Sequence, residues 1–115
     1  MSCRKLRNRV DIRPGAKPDR QARLRAMCEQ WNAALKAFRC YYTGVALTEE
    51  YGDPRFATWE HRKPGDEGSV VLVADLVNRM KADMSEGDFK AMVRALDRRF
   101  DHPGEPFDVS VFPTR

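Results

Sequence analysis

Apolar residues recur at helical spacing near the beginning and near the end of this chain, and between those stretches they gather in short β-branched runs. From Pro18, a good first-turn residue, Leu24, Met27, Cys28, Trp31, Leu35 and Phe38 fall on one face, which predicts a helix to about Phe38 with that stripe in the core. Cys40-Tyr41-Tyr42, the turn pair Thr43-Gly44 and Val45-Ala46-Leu47 then suit a hairpin-like or looped β element. Phe56 to His61 and the β-branched Val70 to Val73 read as strands on either side of a Lys63–Gly68 loop.

From about Ala74 the period lengthens. Leu76, Val77 and Met80 suit one face of a short helix, with Asn78 and Lys81 together on another and Asp75 as its cap. Ser85 with Asp88 resembles a capping box opening a last helix, whose Phe89, Met92, Val93, Leu96 and Phe100 should face inward. The tail after Pro103 holds Val109-Ser110-Val111-Phe112, a candidate edge strand.

At 115 residues this is one domain with one small core. Charge divides it further. Up to Arg25 nine basic residues face two acids, while the remainder is acidic by three, for a net charge of +4. Residues 1–16 therefore read as a basic, flexible arm, broken by Pro14-Gly15, and residues 17–115 as the folded domain. A cationic arm suits polyanions, because each Lys or Arg that neutralises a phosphate releases counterions; Arg4, Lys5, Arg7 and Arg9 are the nucleic-acid contacts it offers. The three cysteines are widely spaced, with no Cys-x-x-Cys pair, which points away from a disulfide framework and toward a reducing compartment. No apolar run is long enough for a membrane span or signal peptide, so the cytoplasm is the expected location.

Glu60-His61 at a strand end and Asn78 on the following helix put a carboxylate, an imidazole and an amide into one ββα unit. Magnesium needs only one or two protein oxygens beside a substrate phosphate, and a neutral imidazole can take a proton from an attacking water. The order Trp59-Glu60-His61-Arg62, a Pro-Gly loop, a β-branched strand and Asn78-x-x-Lys81 resembles the HNH nucleases, also called His-Me finger or ββα-metal endonucleases, over about Cys40 to Phe89.

That resemblance implies an α+β fold with a small ββα-metal core at about residues 56–83, flanked by an N-terminal and a C-terminal helix. It implies an endonuclease hydrolysing DNA phosphodiester bonds, with His61 as general base, Glu60 and Asn78 as ligands of Mg2+ or Mn2+, and Lys81 as a phosphate contact; beside these, Arg62 is placed either to clamp the scissile phosphate or to pair with an acid such as Glu60, and Arg79 is a further candidate nucleic-acid contact. No structural zinc is expected, since Thr43, Ala74 and Val77 stand where the family's further cysteines would sit. Ser69 takes the place of the family's middle Asn. One such site cuts one strand, so double-strand breaks call for dimerisation or sequential nicking; the partners expected besides DNA are a second copy in a homodimer or a larger phage or bacterial assembly. The alternative is a catalytically weakened HNH-fold protein that binds nucleic acid or serves as an adaptor. In a regular strand Glu60 and His61 point to opposite faces, so joint action requires a bulge or a strand end that converges them.

Overall fold

The computed structural model describes residues 3–9 and 19–113, the side chains of Cys3 and Arg4 excepted. Among these residues it is a mixed α+β domain with four helices and two small two-stranded antiparallel sheets. Helix α1 (Cys3–Asn8) and helix α2 (Arg20–Gln30) come first, followed by the strands β1 (Trp31–Asn32) and β2 (Ala37–Phe38). The central hairpin is β3 (Ala57–His61) and β4 (Val70–Ala74), joined by a loop that closes in a 3₁₀ turn at Glu67–Ser69. Helices α3 (Asp75–Lys81) and α4 (Glu86–Asp101) and a final 3₁₀ turn at Val109–Val111 complete the order.

The hairpin forms where the β-branched run places it. Its register is regular from Ala57 opposite Ala74 to His61 opposite Val70, and every residue of β4 is buried. A strand covered on both faces reads as a continuous apolar run, as Val70-Val71-Leu72-Val73 does. The core gathers Leu6, Met27, Phe38, Cys40, Leu47, Ala57 and the β4 side chains. Cys40 accepts a hydrogen bond at Sγ from the Ala74 amide at 3.4 Å, and its thiol is packed in the core.

Helix α2 stops earlier than its stripe suggests. Asp19 caps it by accepting from the Ala22 amide at 3.0 Å, and after Gln30 the chain turns into β1 and back through β2. Trp31, Leu35 and Phe38 continue helical spacing by accident of a four-residue turn, in which Asn32 Oδ1 accepts from the Leu35 amide. Phe38 is buried as expected, whereas Leu24, Trp31 and Leu35 are exposed. Gln30 ends the helix usefully: its amide donates to the Leu72 carbonyl at 2.7 Å and accepts from the Leu72 N–H at 2.9 Å.

Three more expectations are corrected. The basic arm is not irregular throughout, because Leu6 of α1 is fully buried in the core; the helix's carbonyl end is held by Arg23, which donates to Arg7 O at 2.8 Å and Arg9 O at 2.7 Å. Pro14-Gly15 and Pro18 lie outside the described residues. The tail segment at Val109 makes a 3₁₀ turn and not an edge strand, with Asp108 accepting from the Ser110 amide. Asp75 does not cap α3; Ala74 is at that position without a side-chain bond, and Asp75 instead pairs with Arg79 at 2.5 Å.

Candidate nucleic-acid interface and the β3 strand end

The β3–β4 hairpin lies between α2, which packs mainly on β4, and α3, and the alternation of β3 sorts the candidate residues. Thr58 and Glu60 meet α3: Asn78 donates through Nδ2 to Thr58 Oγ1 at 3.0 Å, and the Lys81 ammonium sits 3.6 Å from the Glu60 carboxylate. Three residues apart on the helix thus meet two residues apart on the strand. Trp59 and His61 meet the other side, where the Arg23 guanidinium lies 4.8 Å from the Trp59 ring and Glu67 approaches His61. The strand is paired regularly through His61, so no bulge turns Glu60 and His61 toward a common point.

Each candidate has partners of its own. Glu60 is 5% exposed, accepts from the His61 N–H at 2.7 Å, and has Lys81 as counter-charge. Burial pushes its carboxyl above the usual range, opposed in part by Lys81. Lys81, expected as a surface phosphate contact, is 1% exposed; its ammonium donates to the His61 carbonyl at 3.0 Å and to the Met84 carbonyl. Arg62 does not pair with Glu60. It binds Glu86 through Nε and Nη2 at 3.1 and 3.0 Å and lies 5.5 Å from the Tyr41 ring.

His61 is 3% exposed, and its Nε2 lies 3.0 Å from the Glu67 carboxylate without making a hydrogen bond in this geometry. Ser69 ties the intervening loop, accepting from the Lys63 amide at 3.1 Å and donating to the Asp66 carbonyl at 2.8 Å. Glu67 and Glu86 were not singled out by the sequence. Nothing in the spacing of either acid marks it, since the loop and the start of α4 bring them in from outside the ββα pattern.

Both residues expected to hold a divalent metal are engaged by protein groups as placed. Glu60 already has a cation beside it in Lys81, and Asn78 is turned to Thr58 through its amide nitrogen. Among the described residues no group of three or more His, Cys, Asp or Glu is arranged to hold a metal ion.

The accessible feature is a groove of about 850 Å³ at the open edge of β3, lined by Arg9, Arg23, Thr58, Trp59, Asn78 and Arg79 among others. Arg9, Arg23 and Arg79 line it with one carboxylate, Asp75, which pairs with Arg79; Arg23 is 1% exposed, whereas Tyr51 at the groove is 92% exposed. Arg9 reaches in from beyond α1, donating to the Ala57 carbonyl and lying 4.6 Å from the Phe56 ring. Of the arm's other expected contacts, Lys5 is exposed and Arg7 donates to Asn8 at 3.4 Å, whereas the Arg4 side chain lies outside the described residues. Neither Lys5 nor Arg7 lines the groove.

In comparisons with known proteins, no family model, no curated protein and no solved structure matches the chain. No helix among the described residues is long and apolar enough to cross a membrane.

Proposed function

We propose that this chain is a nucleic-acid-binding protein built on an HNH-like hairpin-and-helix unit, gripping a phosphate backbone in the groove beside β3. The excess of guanidinium groups over carboxylates in that groove carries the reading. Arginine forks suit phosphate oxygens, and an exposed ring such as Tyr51 offers a face for stacking. The order of acid-His strand end, loop, buried strand and Asn78 helix supports the HNH-like part of the proposal, and DNA is the first substrate class to test.

Fluorescence anisotropy with a labelled DNA duplex and with the corresponding single strand, at increasing salt, tests it. Affinity should fall steeply with salt, and Arg79→Ala should weaken binding and reduce the salt slope by about one. No measurable affinity at low salt for either strand form would overturn the proposal.

Hydrolysis is the second reading, favoured by one observation: a carboxylate, Glu67, lies 3.0 Å from the imidazole of His61, as an acid that orients a general base would. It requires Glu60, now paired with Lys81, to be released to hold Mg2+ or Mn2+. Incubation with supercoiled plasmid and either metal separates the readings. Nicking that disappears with chelator and in His61→Ala establishes the enzyme; binding without nicking leaves the binding protein.

A further inference from the structure

The apolar stripe of α4 does not stay in the core. Phe89 at its start is buried and packs edge-on to Tyr42 at 5.6 Å, but Val93 is 44% exposed, Leu96 41% and Phe100 77%. The C-terminal tail leaves the stripe open because it folds onto another side of the helix, where Arg99 donates to the Pro103 and Glu105 carbonyls and a small cavity is lined by Ala95, Arg98 and His102. The molecule is accordingly long, 50 × 34 × 24 Å with a radius of gyration of 15.7 Å, against roughly 13 Å for a compact chain of this length.

Charges beside the stripe indicate what covers it. Lys90, Arg94, Asp97 and Asp101 follow one flank at the same three-and-four spacing, all exposed, with the two cations first and the two acids last. Lys90 with Arg94 and Asp97 with Asp101 are like-charge neighbours four residues apart, which is unfavourable within a single helix. Glu86, 3.6 Å from Lys90, eases the first of these pairs and leaves the second.

The open stripe and the like-charge neighbours are relieved by one occupant. Laid antiparallel about a two-fold axis between Ala95 and Leu96, a second α4 sets Lys90 against Asp101 of the other copy and Arg94 against its Asp97, each pair occurring twice. The same alignment brings Leu96 of each copy to the axis, against Ala95 of the other. A parallel two-fold pairing would set the charged flanks of the two copies on opposite sides of the contact, out of reach of each other.

We infer that the exposed stripe of α4 is a homodimer interface in which α4 packs antiparallel on α4 of a second copy. The contact is self-complementary, as a two-fold interface must be. It stands apart from the nucleic-acid groove, so it does not depend on the binding proposal.

Sedimentation equilibrium of the full chain over a dilution series tests the interface. The parent should form dimers that dissociate on dilution, whereas Leu96→Glu should remain monomeric with an unchanged circular dichroism spectrum. Two charge variants test the alignment: Lys90→Glu with Arg94→Glu, and Asp97→Lys with Asp101→Lys. Each alone should be monomeric where the parent is dimeric, and an equimolar mixture should form the mixed dimer by native mass spectrometry. A parent that is monomeric at every concentration overturns the inference and gives the stripe to a different partner. Charge variants that dimerise like the parent, or a mixture that stays monomeric, overturn the antiparallel pairing.

Discussion

The two faces of β3 each bury a cation, and they neutralise it by different means. Toward α3, the Lys81 ammonium meets a full opposite charge, Glu60, with two backbone carbonyls beside it and almost no access to water. Toward α2, the Arg23 guanidinium is held by the carbonyls of Arg7 and Arg9 and lies against the Trp59 ring. The first is a closed clamp, in which any incoming ligand must displace a charge already paired. The second borders an open groove that also holds Arg9 and Arg79, so a polyanion can add to what is there. That difference is why binding on the arginine side is the leading proposal and cleavage on the carboxylate side the second.

Breaking the closed clamp should have the largest effect. Lys81→Met leaves Glu60 buried without its counter-charge and should cost about 3–5 kcal/mol in urea unfolding. Removing both charges, as Glu60→Leu with Lys81→Met, should recover much of that loss. A single variant as stable as the parent would contradict the closed clamp.

The open side should yield less. Arg23→Met removes two charge-assisted hydrogen bonds and should cost about 1.5–3 kcal/mol. Because those bonds hold the end of α1, faster amide exchange around Leu6 should accompany the loss.

Two carboxylates near Tyr42 sharpen the contrast through pH. Burial raises the Glu60 carboxyl, so its share of stability is full below the ordinary carboxylate range and declines as pH rises through its folded value. Glu86 has the opposite sign. Burial alone would raise it too, but hydrogen bonds from Arg62, with the Arg62 and Lys90 charges, outweigh that and hold it below the usual 4.5. Its contribution is present above that value and lost as pH falls through the lowered one. Glu86→Gln should therefore cost up to about 1 kcal/mol at neutral pH, and the gap from the parent should close in acid unfolding curves. The smallest effect is expected at Ala82, which ends α3 with φ at 51°. Ala82→Gly should raise stability by about 0.5–1 kcal/mol, read as a higher melting temperature.

Local pattern made the hairpin legible. Val70-Val71-Leu72-Val73 supports few other structures, and β3, β4 and α3 begin and end within a residue or so of where composition puts them. Ser85 capped α4 as expected, accepting from the Asp88 amide at 3.1 Å. Helical spacing was less informative where it concerned burial. It ran α2 on through Trp31 and Leu35, because a four-residue turn between two-residue strands leaves no periodicity of its own. It also found the α4 stripe without saying what faces it.

The candidate site was legible only as a set of residue types. Asn78 and Glu60 do share the α3 side of β3. Lys81, however, was placed on the surface because a lysine's four-carbon stem hides nothing of where its end will go. Its position depends on carbonyls at His61 and Met84 that only the folded turn assembles. Glu67 and Glu86 arrive from neighbouring segments, and so the partners of His61 and Arg62 could not be read from local order.

A hairpin of two strands has two outer edges that could recruit strands from other molecules. On β4 the middle of that edge is occupied: Leu72 gives both backbone groups to Gln30, and its carbonyl also accepts from the Tyr41 amide at 3.0 Å. On β3, Arg9 covers the Ala57 carbonyl, whose N–H already donates to Thr48. Growth of a β-aggregate from this hairpin must therefore first displace both the Gln30 side chain and the Tyr41 amide. Gln30 thus acts as a stopper against fibril-like assembly, and self-association is left to side-chain surfaces such as α4.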